Sequence, residues 1–199
     1  MTIIMSSNLT KKELSHDRIL DAASRAIRRA GFDGVGVADI MREAGLTHGG
    51  FYAHFASRDA LLAEAIARAG HDNAVAMDAA LRRAQEEGTS RFAALVNTYL
   101  ADSRLSDAEH GCAVAALASE MPRQADEVAE AARARVLGLV DLVRRNLPER
   151  VDPAQAQVIA ATLVGTIQLA RTLGGKAGRA WLANARETLL QRYVSGHAG

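Results

Sequence analysis

Cysteine is almost absent: Cys112 stands alone in 199 residues. That excludes an intrachain disulfide framework and a multi-cysteine zinc site, and it fits a reducing, cytoplasmic compartment. Proline occurs three times and aromatics make up 4% of the chain, a poor basis for a β-sandwich or barrel, and no stretch sustains period-two alternation. An excess of either charge is missing too. Lys+Arg number 24 and Asp+Glu 23, a net charge of +1, and the only lysines are Lys11, Lys12 and Lys176. A non-specific architectural DNA binder depends on a strong cationic field, so it is excluded, and any basic surface must be local. No long apolar run exists. The longest uncharged stretch, 153–170, is interrupted by Gln155, Gln157, Thr162, Thr166 and Gln168, which reads as a buried helix rather than a membrane span. Only Ile3, Ile4 and Met5 form an apolar run near the start, with no basic segment before them, so no secretory signal is expected. Ser-x-x-Lys, a nucleophile elbow, a phosphate-binding glycine loop and metal-ligand spacing are all lacking; the reading is therefore no enzyme, no metal and no cofactor.

What is present is helical periodicity in nine segments, an all-α chain. Residues 1–13 form a polar arm. A first helix over 14–30 carries Ile19, Leu20, Ala23, Ala26, Ile27 and Ala30 on one face and stops at Gly31. A short second helix over 37–44 stops at Gly45, and a third over 48–55 is capped by Thr47. Ser57 caps a long fourth helix, with Asp59 in the first turn, where the helix dipole favours an acid. Gly88, Thr89 and Ser90 separate it from a fifth helix marked by Phe92, Leu95, Val96 and Tyr99. A sixth spans 111–121, a seventh opens at Pro122, an eighth at Asp152–Pro153, and a ninth covers 178–194. The domains expected are an arm (1–13), a small unit of three helices (14–57) and a larger helical unit (58–199).

The informative stretch, 31–62, reads GFDGVGVADIMREAGLTHGGFYAHFASRDALL. Two short helices joined through glycine are the shape of a helix-turn-helix, whose second helix enters the major groove. Gly45 permits the sharp turn, Leu46 fills the angle between the helices, Gly49 and Gly50 let backbone approach DNA, and Phe55 anchors the second helix from behind. Tyr52 has a hydroxyl that phosphate would satisfy, though packing also explains a tyrosine here. His54 is either a DNA contact or a solvated histidine, and Phe51 either core or a contact to a thymine methyl.

On Gly31-Phe32, Val37, Ile40, Ala44-Gly45-Leu46-Thr47, Gly50-Phe51-Tyr52, His54-Phe55, Ser57-Arg58-Asp59 and Leu61-Leu62, the chain resembles the TetR/AcrR family of bacterial transcriptional regulators. The resemblance implies an N-terminal three-helix DNA-binding domain and a larger C-terminal helical domain for ligand binding and dimerisation. It further implies that Thr47, Tyr52, His54 and Arg58 meet phosphates, that His48, Gly49 and Phe51 face bases, and that the partners are a double-stranded DNA operator, a small-molecule effector and a second copy of the chain. Gly36 departs from the family's Ser or Thr, so a hydroxyl contact is missing there.

For the C-terminal two thirds, side-chain chemistry must carry more. The uncharged eighth helix and the ninth are expected to form a four-helix dimer interface, through Ala156, Ile159, Leu163, Ile167, Trp181 and Leu189; completing a monomer core is the alternative. Two recognition helices about 34–36 Å apart then imply a near-palindromic operator. Met77, Phe92, Tyr99, Leu117, Met121, Leu139 and Val143 are the expected walls of an effector pocket, or plain core. Cys112, at the start of the sixth helix, is either an inert buried residue or a sensor of oxidants or electrophiles, with Lys176 within approach. The expectation is a repressor released by a small molecule, with cysteine-based sensing as the alternative.

Overall fold

The structure, a computed structural model, describes residues 10–195. It is all-helical among those residues, with α1 (Lys11–Ala30), α2 (Val37–Glu43), a 3-10 turn (His48–Ala53), α3 (Arg58–Glu86), α4 (Arg91–Tyr99), α5 (Ala113–Leu117), α6 (Asp126–Asn146), α7 (Gln155–Leu173) and α8 (Gly175–Leu190).

α1 begins earlier than the sequence reading, which placed residues 10–13 in an arm. Thr10 and Glu13 form a reciprocal cap: Glu13 N–H donates to Thr10 Oγ1 at 3.2 Å, and Thr10 N–H to Glu13 Oε2 at 2.6 Å. The rest of the expected arm lies outside the described residues. The apolar stripe on α1 buries Ile19, Ala23, Ala26 and Ile27 against α3. α2 ends in a Schellman motif. Gly45, at φ +68°, donates to the Arg42 carbonyl at 3.0 Å, and Leu46 donates to that of Met41 at 2.8 Å. The next segment is a 3-10 turn rather than the expected full helix, because two consecutive glycines in so short a piece disfavour α-helix. Thr47 occupies its cap position without a side-chain cap bond. Ser57 does cap α3, accepting from Ala60 N–H at 3.0 Å.

α3 is 29 residues long and joins the two regions of the molecule. It packs on α1 at one end and on α4 and α6 farther along. The expected long sixth helix is reduced to the five residues of α5, and Pro122 lies in a separate 3-10 turn before α6. α7 and α8 form a hairpin turned at Gly174 and Gly175, φ +63° and +46°. By length and composition α7 could cross a membrane, against the sequence reading. Yet it carries one packed stripe, Ala156, Ile159, Leu163, Ile167 and Ala170, set against α6 and α8.

Candidate DNA interface and candidate effector cavity

The 3-10 turn presents Thr47, His48, Gly49 and Tyr52 to solvent, Tyr52 with 77% of its surface exposed. Its reverse side is fixed by aromatic packing. Phe51 is 2% exposed. Its ring stacks on Phe55 at 5.8 Å, and His16 stacks on Phe55 at 4.6 Å. Phe51 is thus part of the core and turned away from any base. His54 is half-buried, with Nδ1 enclosed and unpartnered. Burial first, with His16 and Lys12 nearby adding to it, lowers its pKa, which favours the neutral ring. Arg58 is half-buried and donates from Nη2 to the Phe32 carbonyl, tying the start of α3 to the loop before α2. Gly36 caps α2 through backbone alone. Four of the seven expected DNA-facing residues therefore share one exposed surface, while Phe51, His54 and Arg58 support it from behind or beside.

That unit is latched to the rest of the chain by contacts the sequence did not disclose. Arg28 is 6% exposed and donates to the Gly111 carbonyl at 3.0 Å. Arg29 bridges Glu43 (3.1 Å) and Glu109 (2.8 Å). Glu120 accepts from Phe32 N–H at 2.9 Å. Gly31, at φ +78°, leaves room for that carboxylate, because a Cβ there would fall 2.8 Å from its oxygens. All three links join the C-terminal end of α1 to the segment flanking α5.

α5 in turn borders two adjacent spaces. A cavity of about 230 Å³ between α3, α5 and α6 is lined by Ala69, Asn73, Cys112, Val114, Arg135 and Leu139, among others. A smaller void of about 10 Å³ lies behind it, with Met77, Tyr99, Arg104, Gly111 and Arg171 around it and Asn73 and Cys112 as the shared wall. Of the expected pocket residues, Met77, Tyr99 and Leu139 line these spaces. Met121 lines a separate groove of about 480 Å³ on the outer side of α6, with Pro122, Val136 and Leu137. Phe92, Leu117 and Val143 are fully buried and line none of these spaces; Phe92 packs edge-on against Tyr193 at 5.7 Å.

Cys112 is half-buried at the cap of α5. A five-residue helix supplies little dipole, so the polarity around the thiol comes from Arg104 and Arg171 instead. Lys176 is exposed on the first turn of α8 and lines neither space. It does not take the part expected of it beside Cys112. The arginines and Asn73 were missed because nothing in their local spacing marks them; Gly111, which leaves room for Arg171, was the available signal. Among the described residues, no cluster of three or more His, Cys, Asp or Glu is placed to hold a metal ion.

The expected interface residues also divide. Ala156, Ile159, Leu163, Ile167 and Leu189 are at most 6% exposed and face the protomer's own core. The stripe of small and aliphatic residues seen in the sequence is the inward face of α7. The outward face carries Val158, Thr162, Leu169 and Leu173, with Trp181 exposed on α8.

Residues 19–65 match the sequence profile described as bacterial regulatory proteins, tetR family. An uncharacterized HTH-type transcriptional regulator of Mycobacterium tuberculosis is 28% identical over 166 residues, covering 78% of this chain and 83% of that protein. The fold resembles that of reduced Escherichia coli NemR, with a TM-score of 0.74 at 18% identity over 92% of this chain and 99% of the other. A TetR-family transcriptional regulator from Agrobacterium tumefaciens gives a TM-score of 0.73 at 23% identity, with the same coverage. A matched profile at one end and a helical architecture shared over nine tenths of the length lead to one assignment: residues 19–65 carry the helix-turn-helix module of the tetR family of bacterial regulatory proteins, in a chain with the fold of TetR-family regulators.

Proposed function

We propose that the protein is a homodimeric repressor that binds a near-palindromic operator and leaves it when a small molecule enters the cavity beside α5. The observation that carries the DNA side is the exposed row Thr47, His48, Gly49 and Tyr52, presented by a Schellman turn and backed by buried Phe51. Thr47 and Tyr52 hydroxyls suit phosphate, and His48 suits a base edge. The dimer is supported by the apolar outward face of α7 and α8, Val158, Leu169, Leu173 and Trp181, which a lone protomer leaves in water.

Release requires the effector to bind two states with different affinity. Two elements can transmit that difference. α3 runs from Arg58, beside the DNA-binding surface, to the cavity wall at Asn73. The α5 segment borders the cavity and holds the end of α1 through Gly111, Glu109 and Glu120. Selection of binding sites from a random DNA library tests the reading. It predicts an enriched sequence with two inverted half-sites; enrichment of a single unrepeated half-site, or none, argues against a dimeric reader.

A second reading is favoured by the place of Cys112 in the wall shared by both spaces. There the thiol acts as a sensor of oxidants or electrophiles, and the similar NemR fold was solved in a form described as reduced. Thiol labelling of the native protein at neutral pH, followed by DNA binding, decides it. Labelling with loss of binding supports the sensor, and an unreactive thiol removes it.

A further inference from the structure

The two spaces beside α5 meet at Asn73 and Cys112, and their polar surroundings are one-sided in charge. Three arginines converge on the segment 110–112. Arg28 donates to the Gly111 carbonyl at 3.0 Å, Arg104 to that of His110 at 3.0 Å, and Arg171 Nε to that of Arg104 at 3.0 Å. Gly111 is what admits Arg171, since a Cβ there would lie 3.1 Å from its Nη2. Among the described residues none of the three is ion-paired, although other arginines, such as Arg29, Arg68 and Arg186, are. Asp72 and then Asp107 act on Arg28 from a distance, and Asp107 alone of the acids acts on Arg171; Asp72 is taken up by Arg68 at 3.1 Å and Asp107 by the His110 ring at 2.8 Å. Burial lowers the pKa of both Arg28 and Arg171: positive charge is poorly solvated there, and no carboxylate pairs with it directly.

Tyr99 adds an independent observation. It is 5% exposed, it lines the small void, and its Oη has no hydrogen-bond partner. The Cys112 thiol beside it offers only a weak acceptor. A buried O–H donor and a guanidinium with no direct ion pair thus face the same space, and neither has an anionic acceptor in hydrogen-bond reach.

We propose that this cavity binds a small molecule bearing one carboxylate, its apolar body between α3, α5 and α6 and its acid group on Tyr99 Oη and the Arg171 guanidinium. The proposal rests on the effector reading above and names the effector's chemical class. The outer space supplies the site for the body, with Ala69, Ala113, Val114, Leu139 and Leu142 in its lining. At about 230 Å³ it is smaller than the roughly 300–1,000 Å³ of most ligand pockets, so the ligand is small. The inner void is about the size of one water. The carboxylate therefore reaches Tyr99 as Cys112 and Asn73, the shared wall, turn aside. Side-chain rotations of that kind are common on binding. Cys112 stands at the N-cap of α5 and next to Gly111, so a ligand seated there abuts the segment that holds the end of α1.

The test uses the full-length protein at constant ionic strength and pH, with benzoate, phenylacetate and hexanoate set against benzamide, phenylacetamide and hexanamide. Thermal stabilisation reports binding, and anisotropy of a labelled operator reports release. The expected result is stabilisation by at least one acid over its amide, with operator release by that acid. Tyr99→Phe, which keeps the ring, and Arg171→Gln should each weaken the acid about tenfold, while Lys176→Gln leaves it unchanged. Acid preference that survives in both cavity variants overturns the proposal. Equal stabilisation by acid and amide in every pair overturns the anion assignment alone and leaves a small-molecule effector standing. Stabilisation by none of the six removes the cavity as the effector site.

Discussion

At the residue scale, the proposed DNA-binding surface separates into groups that touch solvent and groups that hold them there. Tyr52 is exposed and Phe51, its neighbour, is buried, so the two should fail in different ways. Tyr52→Phe removes one hydroxyl and should weaken binding to operator and random DNA alike, about two- to tenfold, from the roughly 0.5–1.5 kcal/mol of one hydrogen bond. Competition binding measures it. Phe51→Ala should instead cost about 3–5 kcal/mol of stability, read as a fall in the midpoint of urea unfolding. His54 gives a pH signature. Burial holds its folded pKa below the ordinary 6.5, so the neutral form is favoured by folding. The stabilising contribution is complete above the unfolded value and is lost as pH falls through the folded one. Between pH 7 and pH 5 the wild-type Tm should therefore drop more steeply than that of His54→Gln; parallel curves would show that His54 is not the group responsible.

At the element scale, the sequence disclosed segments and stops better than the course between them. Gly31, Gly45, Gly88 and Gly174 mark ends of helices in the sequence and adopt positive φ in the structure, because left-handed backbone is costly for other residues. Gly45→Ala should accordingly lose about 1–2 kcal/mol and DNA binding with it, as the Schellman turn sets the angle of the segment 48–53. Composition was less informative where packing decides. The apolar run 111–121 reads as one helix, yet only Ala113–Leu117 is helical, since the flanks are committed to long-range contacts through Gly111 and Glu120. Those contacts, between residues 83 and 88 positions apart, leave no periodic trace. They also carry a prediction: Glu120→Ala frees Phe32 N–H and loosens the latch. Effector binding should persist, while the concentration of effector needed to release DNA rises. An unchanged release curve would confine transmission to α3.

At the scale of the whole molecule, the fold class and the DNA-binding end were legible from the sequence, but the faces of α7 were not. Five of the six expected interface residues point inward, because the sequence shows two apolar stripes on α7 and the richer one belongs to the core. The two faces predict opposite outcomes. Leu169→Arg, on the 53% exposed face, should give a folded monomer with weakened operator binding. Leu163→Arg, at 0% exposure, should unfold the protomer. Sedimentation and circular dichroism separate these; a Leu169→Arg protein that stays dimeric would place the interface elsewhere.

The proposed reading of DNA rests on the row Thr47, His48, Gly49 and Tyr52. The most direct measurement is anisotropy binding of wild type and a Thr47→Ala/Tyr52→Phe double variant to the sequence selected from a random library, at several salt concentrations and with random DNA as competitor. The account predicts specific, salt-dependent binding by the wild type and weaker binding to both DNAs by the folded double variant. A double variant that binds the selected sequence as tightly as the wild type at every salt concentration would contradict it.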